Sequence, residues 1–200
     1  MEFADVVRTR TMTRAFSTQP IERELLERLV DLASRAPSAG KSQGFNLVAF
    51  EGADTSTFWD VTLPSDERSA FAWPKLLDAP VIALVCADKR AYLERYSEPD
   101  KTHTGLGGSE EAWPAPYWTI DAAFSTMLLL GAAHDVGLGS LFFALARGEQ
   151  ELRDTCRIPD EVEILGVVAL GWPLESGARK GRSATRPRRT ASSILRFRSW

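Results

Sequence analysis

The chain is poor in the residues from which most enzyme centres are assembled. Its 200 residues include two cysteines, Cys86 and Cys156, and two histidines, His103 and His134. The cysteines form no C-x-x-C pair, which excludes a disulfide framework and a thiolate metal site. No H-x-x-x-H pattern offers a metal its ligands, and His134 falls within a helical pattern where packing is the ordinary role. A Ser-His-Asp hydrolase would lack its G-x-S-x-G elbow and have little histidine to draw on. Long apolar runs are missing too. The longest are stretches such as V-I-A-L-V-C-A (81–87), far short of the ~18 residues needed to span a bilayer. The N-terminus, M-E-F-A-D-V-V-R, has no charged region followed by an apolar core and so does not read as a signal peptide. A cytoplasmic protein with no membrane partner is expected.

Acidic residues are absent from 176–200, where eight Lys/Arg stand, although the whole chain carries a net charge of −3. The other 175 residues hold 16 basic against 27 acidic groups, a net of −11. An acidic body repels a polyanion, so no nucleic-acid partner is expected. A tail that wraps over an acidic neighbour, or carries Arg to a phosphate, fits the asymmetry better.

What is present is the size and composition of one substantial domain, 44% hydrophobic and 26% charged. Apolar spacing predicts a short helix over 2–9, a clear one over 22–35 ended by Pro37, a weaker one around Phe58 and Trp59, and one turn or two over 73–80. The strongest helix runs from Tyr117 to Val136, stopped by Gly137. It is apolar nearly all round, hence central or at a subunit interface. A further helix is predicted over 149–156. Strands are predicted at 46–51, 81–87, 139–145 and 162–173, the second buried on both faces. Residues 97–116 are irregular, as a lid would be, and 174–200 form a basic extension. The interleaving of helices and strands over 1–200 implies a single α/β or α+β three-layer domain.

Two phosphate motifs fail on inspection. G-K-S (40–42) resembles the end of a P-loop, but that motif needs Gly at position 35, where Arg35 stands, and a strand before and helix after. Here the order is reversed. G-L-G-G-S-E (105–110) lacks the last Gly of a dinucleotide fingerprint. Arginine remains: Arg10 and Arg14 around a Thr-rich turn, Arg186 and Arg188 around Pro187. Arg holds phosphate oxygens bidentately at any working pH, and two pairs from opposite chain ends suit a phosphomonoester dianion. Between them lies A-P-S-A-G-K-S-Q-G-F (36–45), whose small residues leave the backbone open to a docked group.

Taken together, R-T-M-T-R-A-F (10–16), A-P-S-A-G-K-S-Q-G-F, the run G-L-G-S-L-F-F, then I-P-D-E-V-E-I-L-G-V-V-A-L-G-W-P and R-P-R-R (186–189) resemble, in order and spacing, the motifs of the FMN-dependent nitroreductase family. The resemblance covers essentially the whole chain. It implies a three-layer sandwich with a mostly antiparallel central sheet, FMN at the interface of a homodimer, and a C-terminal extension exchanged with the partner subunit. It implies that Arg10, with Arg186 or Arg188, binds the FMN phosphate, within a segment that includes Thr11 and Met12. Arg14 would lie at the pyrimidine edge, and Pro37, Ser38 and Ala39 against the ring. Gln43 and Lys75 would reach the flavin, and backbone amides around Phe143 and Ala144 would face N5. No side-chain acid or base is implied as the catalyst. The expected activity is ping-pong hydride transfer from NADPH or NADH (or a deazaflavin) to a nitroaromatic, quinone or related planar acceptor. Reductive dehalogenation, flavin cleavage or a non-catalytic flavin-binding role are the alternatives. Met12, Lys41 and Gly44-Phe45 depart from the family pattern. Lys41 either adds a charge near the flavin and substrate or points to solvent. Trp113, Tyr117 and Trp118 either stack on substrate or pack in the core or interface.

Overall fold

A computed structural model describes residues 1–174, 181 and 183–200. Its helices are α1 (Phe3–Thr9), α2 (Arg23–Ala33), α3 (Thr55–Thr62), α4 (Arg90–Tyr96), α5 (Tyr117–Asp135), α6 (Glu149–Cys156) and α7 (Ala191–Ile194), and its strands β1 (Phe45–Glu51), β2 (Val81–Asp88), β3 (Gly139–Phe143) and β4 (Val162–Gly171). The strands form one antiparallel sheet in the order β1-β2-β4-β3.

The apolar run 81–87 becomes the sheet's inner strand because both of its faces are covered. Ile82, Leu84 and Cys86 pack with Phe58 and Trp59 of α3 and Leu152 of α6. Val81 and Val85 pack on the other face with Leu26 and Leu29 of α2 and Leu129 and Ala133 of α5. Alternation along the strand therefore feeds two separate cores, and the result is helix, sheet and helix in three layers. Burial pushes the Cys86 thiol up to about 11, which leaves it inert as a nucleophile at neutral pH.

The elements expected from periodicity are present, with ends that differ by a few residues. The strand predicted over 139–145 stops at Phe143, and the turn predicted over 73–80 is a 3-10 helix over Pro74–Leu76. Helix α4 was not foreseen. It carries Tyr92 into a third cluster with Trp113, Trp118, Ala87 and Ala122. The 97–116 segment holds two 3-10 turns, Thr102–Thr104 and Glu110–Ala112. Helix α5 buries Ala122, Leu129 and Ala133 yet exposes Phe124, Met127 and Leu128, beside exposed Phe3 and Val7 of α1. Of the basic extension, 175–180 and 182 lie outside the described residues. Among the described residues no helix is long and apolar enough to cross a membrane.

Candidate functional site

Segment 10–16 is laid against β3 as an extra edge. Met12 pairs in parallel with Ser140, Thr13 N–H donates to Ser140 O at 2.8 Å, and Phe16 N–H donates to Lys75 O at 3.0 Å. This fixes where Arg10 and Arg14 begin. Arg10 is half-buried, and its Nε and Nη1 are buried with no hydrogen-bond partner among the described residues. A guanidinium desolvated without a counter-charge is costly, and a phosphate dianion at that point removes the cost. The Arg14 guanidinium lies 5.6 Å over the Trp73 ring and donates weakly, at 3.4 Å, to Met12 O. A methyl added at Gly181 would lie 3.1 Å from Arg14 Nη1, so the tail backbone passes across this arginine.

The remaining residues expected at this end are disposed unevenly. Met12 has its backbone pinned to β3 and its side chain half-buried between the two main cores, while Thr11 is exposed. Lys75 is paired with Asp78 at 2.8 Å. Phe143 closes β3, its ring stacked on Trp59 at 6.3 Å, and exposed Ala144 follows. Arg186 and Arg188 are exposed.

The second part is the loop 36–44, between α2 and β1. Gly40, Lys41 and Gln43 all have left-handed φ, 59°, 59° and 57°. Gly44 is required because a Cβ there would lie 2.6 Å from Asp88 O and 2.7 Å from Tyr92 Cε2. Three of the loop's amides are consumed internally: Lys41 N–H by Ser38 O, Ser42 N–H by Ala39 O, Gln43 N–H by Ser38 Oγ. Ala39 N–H donates to Asp121 Oδ2 at 2.8 Å, and the same oxygen accepts from Tyr92 O–H at 2.9 Å. Gly40 O accepts from Arg95 Nε at 2.8 Å, and the rest of that guanidinium is bidentate on Asp100. Arg95 holds the Asp100 carboxyl down at about 2. Burial, then the Asp121 contact, pushes the Tyr92 phenol up, so it stays a donor. Ser38 and Gly40 N–H are left without acceptors among the described residues. A cleft of about 530 Å³ opens beside them, lined in part by Pro37, Ser38, Lys41 and Gln43.

These two parts lie far apart in one chain. Ser140 is level with Leu170, Leu170 with Val81 and Val81 with Glu51, whereas the loop enters at Phe45, at the other end of β1. Three inter-strand spacings and about six residues of strand rise put the two at about 25 Å. The aromatics near the lid are distributed differently again. Trp113 and Trp118 are buried with their indole N–H groups donating to Leu106 O and Glu163 Oε2, while Tyr117 keeps partial exposure. His134 shares a 2.7 Å contact with Thr9 Oγ1.

The family model that describes the nitroreductase family matches residues 7–172, a span that takes in both parts of this geometry. The chain belongs to the nitroreductase family. It is 26% identical over 176 residues, 86% of each chain, to a protein of Archaeoglobus fulgidus named for NADH dehydrogenase and NAD(P)H nitroreductase activity. It is 25% identical over 171 residues to a Bacillus subtilis FMN reductase [NAD(P)H], across 84% of this chain and 65% of that one. The crystal structure of a nitroreductase-like protein from Streptococcus mutans superposes with a TM-score of 0.76 at 15% identity, covering 98% of both chains. That likeness is one of fold, and the antiparallel sheet between helical layers is the fold in question.

Sequence reasoning missed Asp121, Tyr92, Arg95 and Trp73. The one available signal was Asp121, a lone carboxylate near the start of an otherwise apolar stretch (D-A-A-F-S-T-M-L-L-L). Such a group must find donors once buried.

Proposed function

We propose that this oxidoreductase binds FMN and uses it in a ping-pong exchange, taking reducing equivalents from NADPH or NADH (or a deazaflavin) and passing them to a nitroaromatic, quinone or related planar acceptor. The supporting observation is the half-buried Arg10, whose Nε and Nη1 are buried with no hydrogen-bond partner among the described residues. Bound FMN supplies the hydride chemistry. The chain's residues bind and orient. Arg10, with Arg186 or Arg188, takes the phosphate, and Thr11, Met12 and Arg14 line the path toward the ring's polar edge, where Arg14 favours developing negative charge. Pro37, Ser38 and Ala39 form a shelf against the ring, with the unclaimed N–H groups of Ser38 and Gly40 as its donors. Gln43 approaches the flavin, and the amides at Phe143 and Ala144 face its reactive edge. Lys75 takes a lesser part, since Asp78 already holds its charge.

The separation of about 25 Å between arginines and shelf is the reason to place the site between two copies. In that arrangement Arg10 of one protomer and the shelf of its partner meet across an interface made by Phe124, Met127 and Leu128, which are exposed in one chain. Exchange of the 174–200 extension and a cytoplasmic setting belong to the same reading. Lys41 and Tyr117 remain open to substrate, whereas Trp113 and Trp118 would act by supporting the lid. The test is to purify the protein, add FMN and reduce anaerobically with NADH, NADPH or a deazaflavin donor. A bound flavin spectrum bleached by one of these and restored by a nitroaromatic or quinone is expected. A chain that takes up no flavin sinks the reading.

A further inference from the structure

We propose that Asp121 is a positioning residue for the flavin shelf, acting with Tyr92 through the Ala39 amide. This rests on the reading of loop 36–44 as that shelf. Three observations carry it. Asp121 is 6% exposed, although it sits on the apolar α5 and has no cation in contact among the described residues. A buried carboxylate needs donors, and its two donors are the Ala39 backbone N–H at 2.8 Å and the Tyr92 hydroxyl at 2.9 Å, both on Oδ2. Tyr92 is itself fully buried and presses on Gly44, so one hydrogen-bonded unit grips the loop at Ala39 and at Gly44.

The arrangement also sorts the loop's donors. Without Asp121, Ala39 N–H would join the amides of Ser38, Gly40 and Gly44, which have no acceptor among the described residues. With it, that amide is held behind the loop. The left-handed run at Gly40, Lys41 and Gln43 is held from α4 as well, where Arg95 Nε donates to Gly40 O at 2.8 Å and the Tyr96 ring lies against Gly40. Precise positioning of a docking surface of this kind demands a support whose own geometry is locked, and a carboxylate with two short bonds provides that.

Because both bonds fall on one oxygen, charge and geometry can be separated. An amide oxygen at 121 can accept from both donors; a methyl can accept from neither. The experiment titrates FMN and riboflavin by fluorescence into wild type, Asp121→Ala, Asp121→Asn, Tyr92→Phe and Arg10→Ala, well below each variant's unfolding midpoint. Asp121→Ala is expected to weaken both ligands by the same factor, about tenfold for two lost hydrogen bonds. Asp121→Asn should restore both to within about threefold of wild type, and Tyr92→Phe should cost about threefold on both. Arg10→Ala should weaken FMN and spare riboflavin. Unchanged affinities in Asp121→Ala, or a loss confined to FMN, overturn the proposal. If Asp121→Ala does not fold, Tyr92→Phe decides it: unchanged riboflavin binding overturns it. Wild type that binds neither ligand overturns the flavin reading and this inference with it.

Discussion

The two halves of the proposed site are built on opposite principles. At the β3 edge the working groups are long cationic side chains held only at their roots. The Arg10 head group has two buried nitrogens, Nε and Nη1, with no hydrogen-bond partner among the described residues. At the β1 edge the proposed working group is the backbone itself, braced by bonds from the rest of the chain: Ala39 N–H to Asp121, Gly40 O from Arg95, Gln43 N–H to Ser38 Oγ. One half presents charge unpaired among the described residues; the other is braced by the chain's own hydrogen bonds. A phosphate can be met by flexible charge, because the attraction is long-ranged and tolerant of angle. A flat ring needs a surface fixed to a fraction of an ångström, so rigidity must come from the protein.

The contrast is sharpest where it can be broken by separating the halves. Leu128→Glu places a charge on the exposed apolar face of α5 without touching either half. If the site spans two copies, this variant should run as a monomer by light scattering and lose FMN by more than about 100-fold, the combined loss of ring and phosphate contacts. A monomeric variant that keeps its flavin would place the whole site in one chain. Next in size is Arg10→Ala. Removing a charge-assisted contact to a dianion costs about 2–3 kcal/mol, so FMN retention after gel filtration should fall by about 30- to 100-fold. Arg90→Ala should change it little, because Arg90 is spent on Asp88. Equal retention in the two variants would refute the phosphate role.

How far each half could be seen in the sequence follows from the same difference. The three layers were legible because alternation and helical spacing are local. The run 81–87 announced an inner strand, and its neighbours then had to cover both faces. Arg10 and Arg14 could be singled out as candidates because charge near a small-residue turn is conspicuous. The shelf's supports were not. Asp121 and Tyr92 stand 82 and 53 positions beyond Ala39, and only the tertiary fold brings α4 and α5 to the loop. Nothing in R-A-Y-L-E-R-Y marks a residue whose partner is a backbone amide. Trp113 and Trp118 had two open readings from sequence alone, because an aromatic near a lid looks the same whether its N–H faces ligand or, as here, Leu106 and Glu163.

A smaller effect tests rigidity directly. Gly44→Ala must push a methyl against Asp88 O, a backbone atom 2.6 Å away. Overpacking of that kind costs about 1–3 kcal/mol. The thermal midpoint should drop, and riboflavin affinity should drop with it. Arg95→Ala releases Gly40 O and frees Asp100 together, loosening the shelf and the 97–116 segment at once. Its expected effect on FMN binding is about threefold, one hydrogen bond. The Arg95–Asp100 contact should not contribute a pH dependence near neutrality. A carboxyl lowered to about 2 keeps the pair charged above its unfolded-state value of about 3.9, and the contact is lost only as pH falls through about 2. Amide exchange in 97–116 that slows or quickens between pH 6 and 8, after correction for intrinsic rates, would contradict this.

The smallest expected change concerns Lys41, which shares the shelf but not its logic. Its backbone is left-handed at φ 59°, a conformation that costs a side-chain-bearing residue about 1–2 kcal/mol and glycine almost nothing. Lys41→Gly removes that strain but adds freedom to the unfolded chain, so the net gain in stability should be about 0.5 kcal/mol. The ammonium is lost in the same substitution. If the side chain only meets solvent, affinities for FMN and the KM for donor and acceptor should all stay within about twofold. If instead KM for one substrate rises while kcat and FMN binding hold, the left-handed turn is there to aim a charge at the cleft beside Ser38, and the strain is kept for function. The two outcomes differ in which column of the kinetic data moves, and a single purified variant separates them.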